Sequence, residues 1–476
     1  MATVDFSKYF IYRWRYVIGY SLIGLLLAGL LVFVGFYLPG GLSTSEMAAA
    51  VKSASLSFSD PSTLAIPNLP YYAFQSAIFS LFSITIFTIK LPSLILALLS
   101  AVGFILLLRR WFKPNIAVLT SLIAITTGQF LFIAQQGTPG ILYVFWPIVL
   151  LLLGTQITRE KKYQFLWKIL FAISAALSLY TPLSIYPLLA IGLATVLHPH
   201  LRNAVRRLSK PKLIFVTILF FVLIAPLVYG IIINPQLGLT LLGFPSVWPP
   251  DIGANVINLL KQYFLFWQPS VGPLMTPVFG LGSVILIVLG LYRIIRTRET
   301  TRSYLIIIWV ICLIPVLLFD PAFTTVTFVP SVLMMAAGLT SLIGYWYRLF
   351  PLNPYARVVG LIPIVILVFA LSVSGLYRYI YGYHYSPSQA GQFSKDLALL
   401  PKDTKELIVS NSERDFYNAV ADYRKGLSIV TTPTGNTFVV TRQARTDFSG
   451  FTINKIITNG NTNDSDRLYI YKKAAV

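Results

Sequence analysis

Few side chains in this sequence could do chemistry, since only 11% of its 476 residues are charged while 56% are hydrophobic. Glu46 is the first of six carboxylates between residues 17 and 377, in the segment PGGLSTSEMAAAVKS. A serine at 43 or 45 would cap a helix here, and a glutamate in its first turn suits the helix dipole. Held near a membrane surface, the carboxylate could instead be a general base. Both interpretations stay open.

Asp60 lies in SFSDPSTLAIP, where Asp-Pro commonly opens a turn. Its alternative is a catalytic or metal-binding role, and Asp251 and Asp320 have the same Asp-plus-proline character. Cys312 is the single cysteine, and the two neighbouring histidines, His198 and His200, have no carboxylate beside them. The sequence therefore predicts neither a disulfide framework nor a metal site.

Lys90 and Lys261 are isolated cations in otherwise apolar surroundings, TIKLPS and LLKQYF. An ammonium group at a membrane edge could bind a phosphate or pyrophosphate as a point charge. The alternative is that each side chain snorkels toward lipid head groups.

Neutral polar residues add two further candidates. Gln135 and Gln136 open the turn QQGTP, where two amides could hydrogen-bond a sugar or simply form a polar turn. Tyr71 and Tyr72 most simply belong to an interfacial aromatic belt, with stacking on a sugar as the alternative.

The elements that position these residues are predicted membrane spans. Mean hydropathy is +0.74 and net charge +21, a combination that excludes an ordinary soluble domain. A span needs about 20 mostly apolar residues. The apolar runs predict eleven spans, at 17–38, 90–108, 115–134, 139–157, 165–180, 182–197, 212–233, 273–292, 303–319, 325–346 and 357–377.

Charge fixes the orientation, because Lys and Arg in short loops mark the cytoplasmic side. With the N-terminus inside, the cytoplasmic segments carry +18, the opposite short loops −1 and the segment from 378 onward +4. If 71–88 also spanned, every later basic loop would lie outside. We therefore interpret 71–88 as an interfacial helix within the exoplasmic loop 39–89. The exoplasmic loop 234–272 contains a second one, NVINLLKQYFLFW.

Composition changes after residue 377. Residues 1–377 form the predicted transmembrane domain, and 378–476 a small soluble α/β domain on the exoplasmic side. Its candidate strands are ELIVSN, LSIVTT, TFVVTR, TINKIIT and RLYIYKK, with a helix through ERDFYNAVADYRK and a turn at ITNGNTNDSDR. The chain shows no phosphate-cradling glycine loop and no Ser-His-Asp arrangement, which argues against an ATP-driven pump.

The order of features from residue 17 to about 157 resembles that of GT-C membrane glycosyltransferases, in the branch of protein O-mannosyltransferases and aminoarabinose transferases. The matching elements are Ser45-Glu46, Asn68-Leu69-Pro70-Tyr71-Tyr72, Lys90-Leu91-Pro92-Ser93 and Arg109-Arg110-Trp111-Phe112. The resemblance implies inverting transfer from a polyprenyl-phosphate sugar on the exoplasmic face, with an acidic residue of the first loop as base.

Three departures from the family pattern bear on catalysis. Ser45 replaces the first member of an acidic pair, which leaves Glu46 to act as base; Leu69 replaces a proline; and Thr324-Thr325-Val326-Thr327 replaces a basic residue that often opens the tenth span. Some relatives use a divalent cation. Glu46 and Asp60 could offer it two oxygen ligands, too few to define a site, so no cofactor is certain.

We expect a multi-pass cell-membrane enzyme that moves a sugar from a lipid-linked donor to an envelope glycan, lipid or protein. The alternative is a catalytically silent GT-C-like protein that binds lipid-linked sugars or aids envelope assembly. A transporter is disfavoured, because no two matching halves with charged or broken spans are evident. No nucleic-acid partner is expected, since the basic charge is a topology signal.

Overall fold

The computed structural model describes residues 10–36, 41–57, 60–159, 163–206, 210–245, 248–267, 270–271, 274–349, 354–384, 395–424, 426–458 and 466–474. Most of these residues are helical. The helices are α1 (Phe10–Phe36), α2 (Thr44–Ala54), α3 (Leu69–Phe82), α4 (Ile86–Trp111), α5 (Pro114–Thr126), α6 (Gly128–Gln135), α7 (Leu142–Arg159), α8 (Gln164–Ser178), α9 (Ile185–Leu197), α10 (Pro199–Arg206), α11 (Lys210–Ile233), α12 (Pro235–Leu242), α13 (Ile252–Phe264), α14 (Leu281–Arg296), α15 (Thr301–Phe319), α16 (Phe328–Leu349), α17 (Pro354–Val359), α18 (Leu361–Tyr379) and α19 (Arg414–Asp422).

The chain is a multi-pass membrane protein, and each of the eleven predicted spans overlaps a helix. The predicted number of spans is not confirmed. Within the described residues, six helices are long and apolar enough to cross a membrane, or seven if α5 and α6 are one span. These two helices meet at a bend of 58°. The predicted span 273–292 agrees least well, because α14 begins at Leu281.

The segment 71–88 is not one helix. α3 ends at Phe82, Ser83 has a left-handed backbone with φ of 62°, and α4 begins at Ile86 behind a capping box between Thr85 and Thr88. The span that we expected to start at Lys90 therefore begins one turn earlier and continues through Pro92. Lys90 is carried on a helix, not at its entrance, so its side-chain position is set by helical geometry.

Contacts among the loops agree with the predicted grouping of loops on two sides of the membrane, and the orientation stays a prediction. At the predicted cytoplasmic side, the Arg302 guanidinium donates to the Trp111 carbonyl, and His198 Nε2 lies 3.0 Å from the Glu299 carbonyl. At the opposite side, the Asn255 amide in α13 donates to the carbonyls of Leu318 and Phe319. The helix predicted in loop 234–272 is present as α13, and its interfacial position stays a prediction.

Helices α14 and α16 are in unusually close contact because two glycines face each other. A Cβ at Gly290 would lie 1.7 Å from the Met334 carbonyl oxygen, and one at Gly338 would lie 2.0 Å from the Leu286 carbonyl oxygen. Small residues at such crossings let two backbones approach within a membrane. The contact sets the position of α16, whose first half is buried.

We expect Gly290→Ala to lower the thermal stability of the detergent-purified protein, because the added methyl must separate α14 from α16, at a cost of about 1–3 kcal/mol or more. Melting monitored by intrinsic fluorescence would measure it. The matched control is Gly344→Ala, also in α16, where an added Cβ meets nothing within 4 Å. Equal melting temperatures for the two variants would contradict this interpretation of the crossing.

The C-terminal domain, described here as residues 395–474, is a mixed five-stranded sheet. Its strands are β3 (Glu406–Ile408), β4 (Ser428–Val430), β5 (Thr437–Thr441), β6 (Phe451–Thr458) and β7 (Arg467–Lys473), after the short hairpin β1 (Ser270–Val271) and β2 (Met275–Thr276) in the transmembrane portion. The order is β4-β3-β5-β7-β6, with β3 parallel to β4 and β5, and β7 antiparallel to β5 and β6. The five predicted strands and the helix α19 are confirmed. The predicted turn between β6 and β7 lies mostly outside the described residues, and the boundary at 377/378 stays a prediction.

The C-terminal domain is fixed to the first loop of the transmembrane portion. The Leu42 N–H donates to the Lys395 carbonyl at 2.6 Å, in an isolated antiparallel bridge. One hydrophobic cluster joins both parts and includes Leu42, Phe79 and Ile89 on one side with Leu400 and Phe416 on the other. The C-terminal domain therefore packs over α2, α3 and the start of α4, with α19 and the residues beside it at the contact.

A buried ion pair supports this junction. The Lys395 ammonium binds Glu413, whose other carboxylate oxygen accepts from Thr441 Oγ1 at 2.8 Å. Both members of the pair are buried. Removing one partner would leave the other charge uncompensated in a low-dielectric interior.

Lys395→Met is expected to destabilise the C-terminal domain by about 3–5 kcal/mol, because Glu413 stays charged and unpaired. Limited proteolysis of the full chain would detect the loss as faster cleavage between 395 and 474. The double variant Lys395→Met/Glu413→Leu should recover most of the resistance, since it removes both charges together. A single variant as resistant as the wild type would show that the pair contributes little.

Candidate functional site

The elements of the predicted site meet around the start of α4. Glu46 is fully buried, and its Oε1 lies 3.8 Å from Lys90 Nζ and accepts the Gly137 N–H at 2.8 Å. Its Oε2 accepts the Ser43 N–H at 2.9 Å and the Ser43 hydroxyl at 3.0 Å. Glu46 thus completes the capping box of α2 and also contacts the two other segments of the site.

Gly137 makes this contact because it has no side chain. A Cβ there would lie 2.8 Å from the Ile89 carbonyl oxygen, so the turn after α6 can sit against α4 only with glycine at this position. The approach places the Gly137 N–H and the Lys90 ammonium on the same carboxylate oxygen. One buried anion therefore fixes both a turn and a cation.

Two hydrogen-bond chains hold α3 against this centre. Gln75 Nε2 donates to the Ile89 carbonyl at 2.7 Å, while its Oε1 accepts from Ser53 Oγ of α2 at 2.6 Å. The Tyr71 hydroxyl lies 2.8 Å from Ser93 Oγ, which donates to the Thr138 carbonyl at 3.2 Å. The position of Lys90 is therefore determined by α2, α3, α4 and the turn 136–138 together.

Lys90 also faces a cavity of about 590 Å³ between the start of α4 and the C-terminal domain. Two more cations line it, Lys402 and Arg424, both from the C-terminal domain, and among the residues that the structure describes no carboxylate lines it. The Arg424 guanidinium donates to the Pro401 carbonyl. Since the walls carry three positive charges, the cavity suits an anionic ligand.

Gln135 is the polar residue on the membrane side of this cavity. Its side chain is 7% exposed, and within the described part of the chain its Nε2 has no hydrogen-bond partner. The residue also lines a second, apolar pocket between α1, α6 and α18. Gln136 is half-buried, and its Oε1 lies 3.5 Å from the Thr138 hydroxyl, as expected of a polar turn.

The tyrosines are placed differently from the interfacial belt that we expected. Tyr71 and Tyr72 are buried and pack edge to face, with ring centroids 5.9 Å apart. Burial raises the pKa of Tyr72 to about 12 and raises the pKa of Tyr71 further from its ordinary value. The Tyr71 hydroxyl is hydrogen-bonded to Ser93 Oγ, so Tyr71 supports the site by holding α3 against α4. A sugar-stacking role for the pair stays a prediction.

Asp60 and Lys261 are exposed and do not line the cavity that Lys90 faces. The Asp60 carbonyl accepts from Thr63 at the 3-10 turn Pro61–Leu64, in keeping with a turn former. Lys261 is in the last turn of α13. Asp251 caps α13, and Asp320 caps the 3-10 turn Pro321–Thr327. The catalytic role of Asp60 and the phosphate-binding role of Lys261 stay predictions.

The donors around Glu46 do not suit a metal ion. Both carboxylate oxygens already accept hydrogen bonds, and Lys90 stands where a cation would have to bind. Within the described ranges, no three His, Cys, Asp or Glu side chains are grouped to hold a metal. Participation of a divalent cation stays a prediction without a defined site.

Three residues of the candidate site were not identified from the sequence. Gln75 did carry a signal, a lone amide in the apolar helix LPYYAFQSAIFSLF, where a polar residue needs an explanation. Lys402 and Arg424 carried none, since each is one of 13 basic residues in the tail and only folding brings them over α4.

The fold is that of a multi-pass membrane protein, and comparisons with known proteins agree with the sequence resemblance to GT-C membrane glycosyltransferases. Residues 67–229 match the family described as dolichyl-phosphate-mannose-protein mannosyltransferase. The match includes Tyr71, Lys90 and Gln135 but begins after Glu46.

Solved structures agree on the fold. ArnT from Cupriavidus metallidurans bound to undecaprenyl phosphate is 12% identical, over 96% of this chain and 98% of that chain, with a TM-score of 0.50. The apo form of the same protein gives a TM-score of 0.51, at 12% identity over 95% of this chain and 98% of that chain. The Archaeoglobus fulgidus oligosaccharyltransferase in the apo form is 15% identical over 89% of this chain and 65% of that chain, with a TM-score of 0.49. A search of the curated proteins finds no significant match.

Proposed function

We propose that this protein transfers a sugar from a polyprenyl-phosphate donor to an envelope glycan, lipid or protein on the exoplasmic face of the membrane. The observation that carries the proposal is the position of Lys90, held by the buried Glu46 carboxylate and facing a cavity with two further cations. The matched mannosyltransferase family and the undecaprenyl phosphate in the ArnT structure support a lipid phosphate as the ligand.

The transfer breaks the bond between the sugar's anomeric carbon and the phosphate oxygen. The acceptor heteroatom forms the new bond from the opposite side, and its proton passes to a base. The leaving phosphate gains a second negative charge as the bond breaks, and preorganised cations stabilise that charge most in the transition state. Lys90, Lys402 and Arg424 are placed to do so.

In this proposal Glu46 is a positioning residue in the conformation described. Its carboxylate is fully buried and accepts hydrogen bonds on both oxygens, so an acceptor hydroxyl does not reach it in this conformation. A general-base role for Glu46 would require it to leave Lys90 during the reaction. That role, like the one for Asp60, is tested by the variants in the Discussion.

The test is transfer by the purified full chain from radiolabelled undecaprenyl-phosphate mannose, glucose and arabinose to an extract of envelope glycans and lipids. Movement of label from the lipid donor to a second product is the expected result. Retained binding of undecaprenyl phosphate without turnover from any donor would overturn the proposal in favour of the catalytically silent alternative. Ser45 is the sequence feature that supports this alternative, because it stands where the family resemblance expects an aspartate.

A further inference from the structure

Lys168 is a buried cation and the one charged residue of α8. It lies in the second turn of the helix, within the predicted span 165–180, and is 4% exposed. Within the part of the chain that the structure describes, its ammonium has no hydrogen-bond or ion-pair partner. An unpaired charge in an interior is costly, and an ionisable residue within a span is a candidate functional site. Lys168 Nζ is not sealed from the surface, so a ligand can be its partner.

Lys212 brings a second positive charge to the same place. It lies in the first turn of α11, is exposed, and its Nζ stands 5.6 Å from the centroid of the Phe165 ring. Phe165 precedes Lys168 by three residues, which puts both on one face of α8. The two ammonium groups repel each other electrostatically. Two cations therefore stand together with no anion beside them among the described residues, an arrangement that an anionic ligand would relieve.

Apolar side chains surround the two lysines. The rings of Phe165 and Phe215 are 6.0 Å apart, and both are exposed. Beyond them, α8 and α11 expose Leu166, Leu170, Ile214 and Ile218. Only 17% of the apolar stretch of α11 is buried, so most of this helix is left for contact with lipid. We call Phe165, Lys168, Lys212 and Phe215 together the α8–α11 site.

We infer that the α8–α11 site binds the phosphate of an anionic phospholipid, with Lys168 and Lys212 donating to its oxygens and the acyl chains lying along α8 and α11. Basic pockets between transmembrane helices on the cytoplasmic side are suited to such head groups. In the predicted topology the site lies at the cytoplasmic ends of α8 and α11, opposite the loop that holds Glu46. The inference therefore stands independently of the proposed sugar transfer.

The composition of the site favours a lipid phosphate over free phosphate. Inorganic phosphate exposes acceptor oxygens in every direction and binds best where donors surround it. This site offers the two ammonium groups and otherwise aromatic and aliphatic side chains. A phospholipid presents its charged oxygens to the lysines and continues into acyl chains that the exposed apolar faces can contact. Bound there, the lipid would hold α11 against α8.

Binding of dioleoyl phosphatidylglycerol to the full chain in detergent, counted by native mass spectrometry, tests the inference. We expect Lys168→Met to weaken binding about tenfold or more and Lys212→Met about fivefold, because each removes one contact to the phosphate. The matched control is Lys113→Met, which removes an exposed charge at the start of α5 on the same predicted side and should change binding less than about twofold. The lipid should raise the melting temperature of the wild type but not that of Lys168→Met.

Four results would overturn the inference. The first is wild-type affinity in Lys168→Met, or in the exposed variant Lys212→Met if the former does not fold. An equal loss in Lys113→Met would show attraction by general surface charge. Equal binding of dioleoyl phosphatidylcholine would show that the site does not select an anion. Displacement of the lipid by excess inorganic phosphate at constant ionic strength would assign the site to free phosphate.

Discussion

Lys90→Met should weaken binding of undecaprenyl phosphate about 10- to 100-fold and lower sugar transfer at least as much. A hydrogen bond between an ammonium and a phosphate contributes about 1.5–3 kcal/mol, and each 1.4 kcal/mol is a factor of ten in affinity. Methionine keeps the length and apolar stem of lysine, so the wall of the cavity stays filled. Affinity is measured in nanodiscs, and transfer is measured with the radiolabelled donors.

Lys52→Met is the matched control for this variant. Lys52 is exposed in the last turn of α2, on the same helix as Glu46, and it does not line the cavity. The substitution changes the net charge of the protein by the same amount. If both lysine variants lowered affinity equally, the effect would be a long-range one of loop charge, and Lys90 would not be the phosphate ligand.

Glu46→Gln is expected to lower transfer about 100-fold and to weaken undecaprenyl-phosphate binding as well. The neutral amide has a single acceptor oxygen, so it cannot serve both the Ser43 cap and the Gly137 N–H, and it removes the charge that fixes Lys90. Removing one partner of a charged pair also misplaces the other. Transfer and binding are measured side by side on the same preparation.

The comparison of binding with turnover distinguishes the two roles considered for Glu46. A positioning residue affects both, whereas a general base affects turnover alone and its loss removes the acid limb of the pH–rate profile. Ser43→Ala is the control, because it removes the cap and leaves the Glu46 to Lys90 pair. It should cost about 1 kcal/mol of stability and leave binding unchanged. Unchanged transfer by Glu46→Gln would exclude both roles.

The architecture was predictable where a physical constraint acts locally. Apolar length located the helices, and the asymmetry of Lys and Arg predicts that the stretch before Lys90 does not span. Alternating apolar residues gave the five strands. The boundaries were less predictable, since Ser83 breaks the stretch 71–88 through a backbone conformation that its residue type does not announce. The predicted number of spans is not confirmed, since helix length and composition support six or seven among the described residues.

The site was only partly predictable, for a different reason. Glu46, Lys90 and the turn after Gln135 were recognisable as rare polar groups in an apolar chain, and the structure brings them together. The choice between cap and base could not be made from sequence, because it depends on which donors surround the carboxylate. Lys402 and Arg424 were not predictable, because their contact with α4 depends on how a distant domain docks.

The bridge from Leu42 to Lys395 has a consequence for the order in which the protein is synthesised. Leu42 immediately precedes the cap of α2, and its partner emerges from the ribosome only after every transmembrane helix has been made. The transmembrane helices of a nascent chain can therefore insert before the C-terminal domain covers the cationic cavity. In the proposed function, transfer would therefore begin only after the last segment has folded over the cavity.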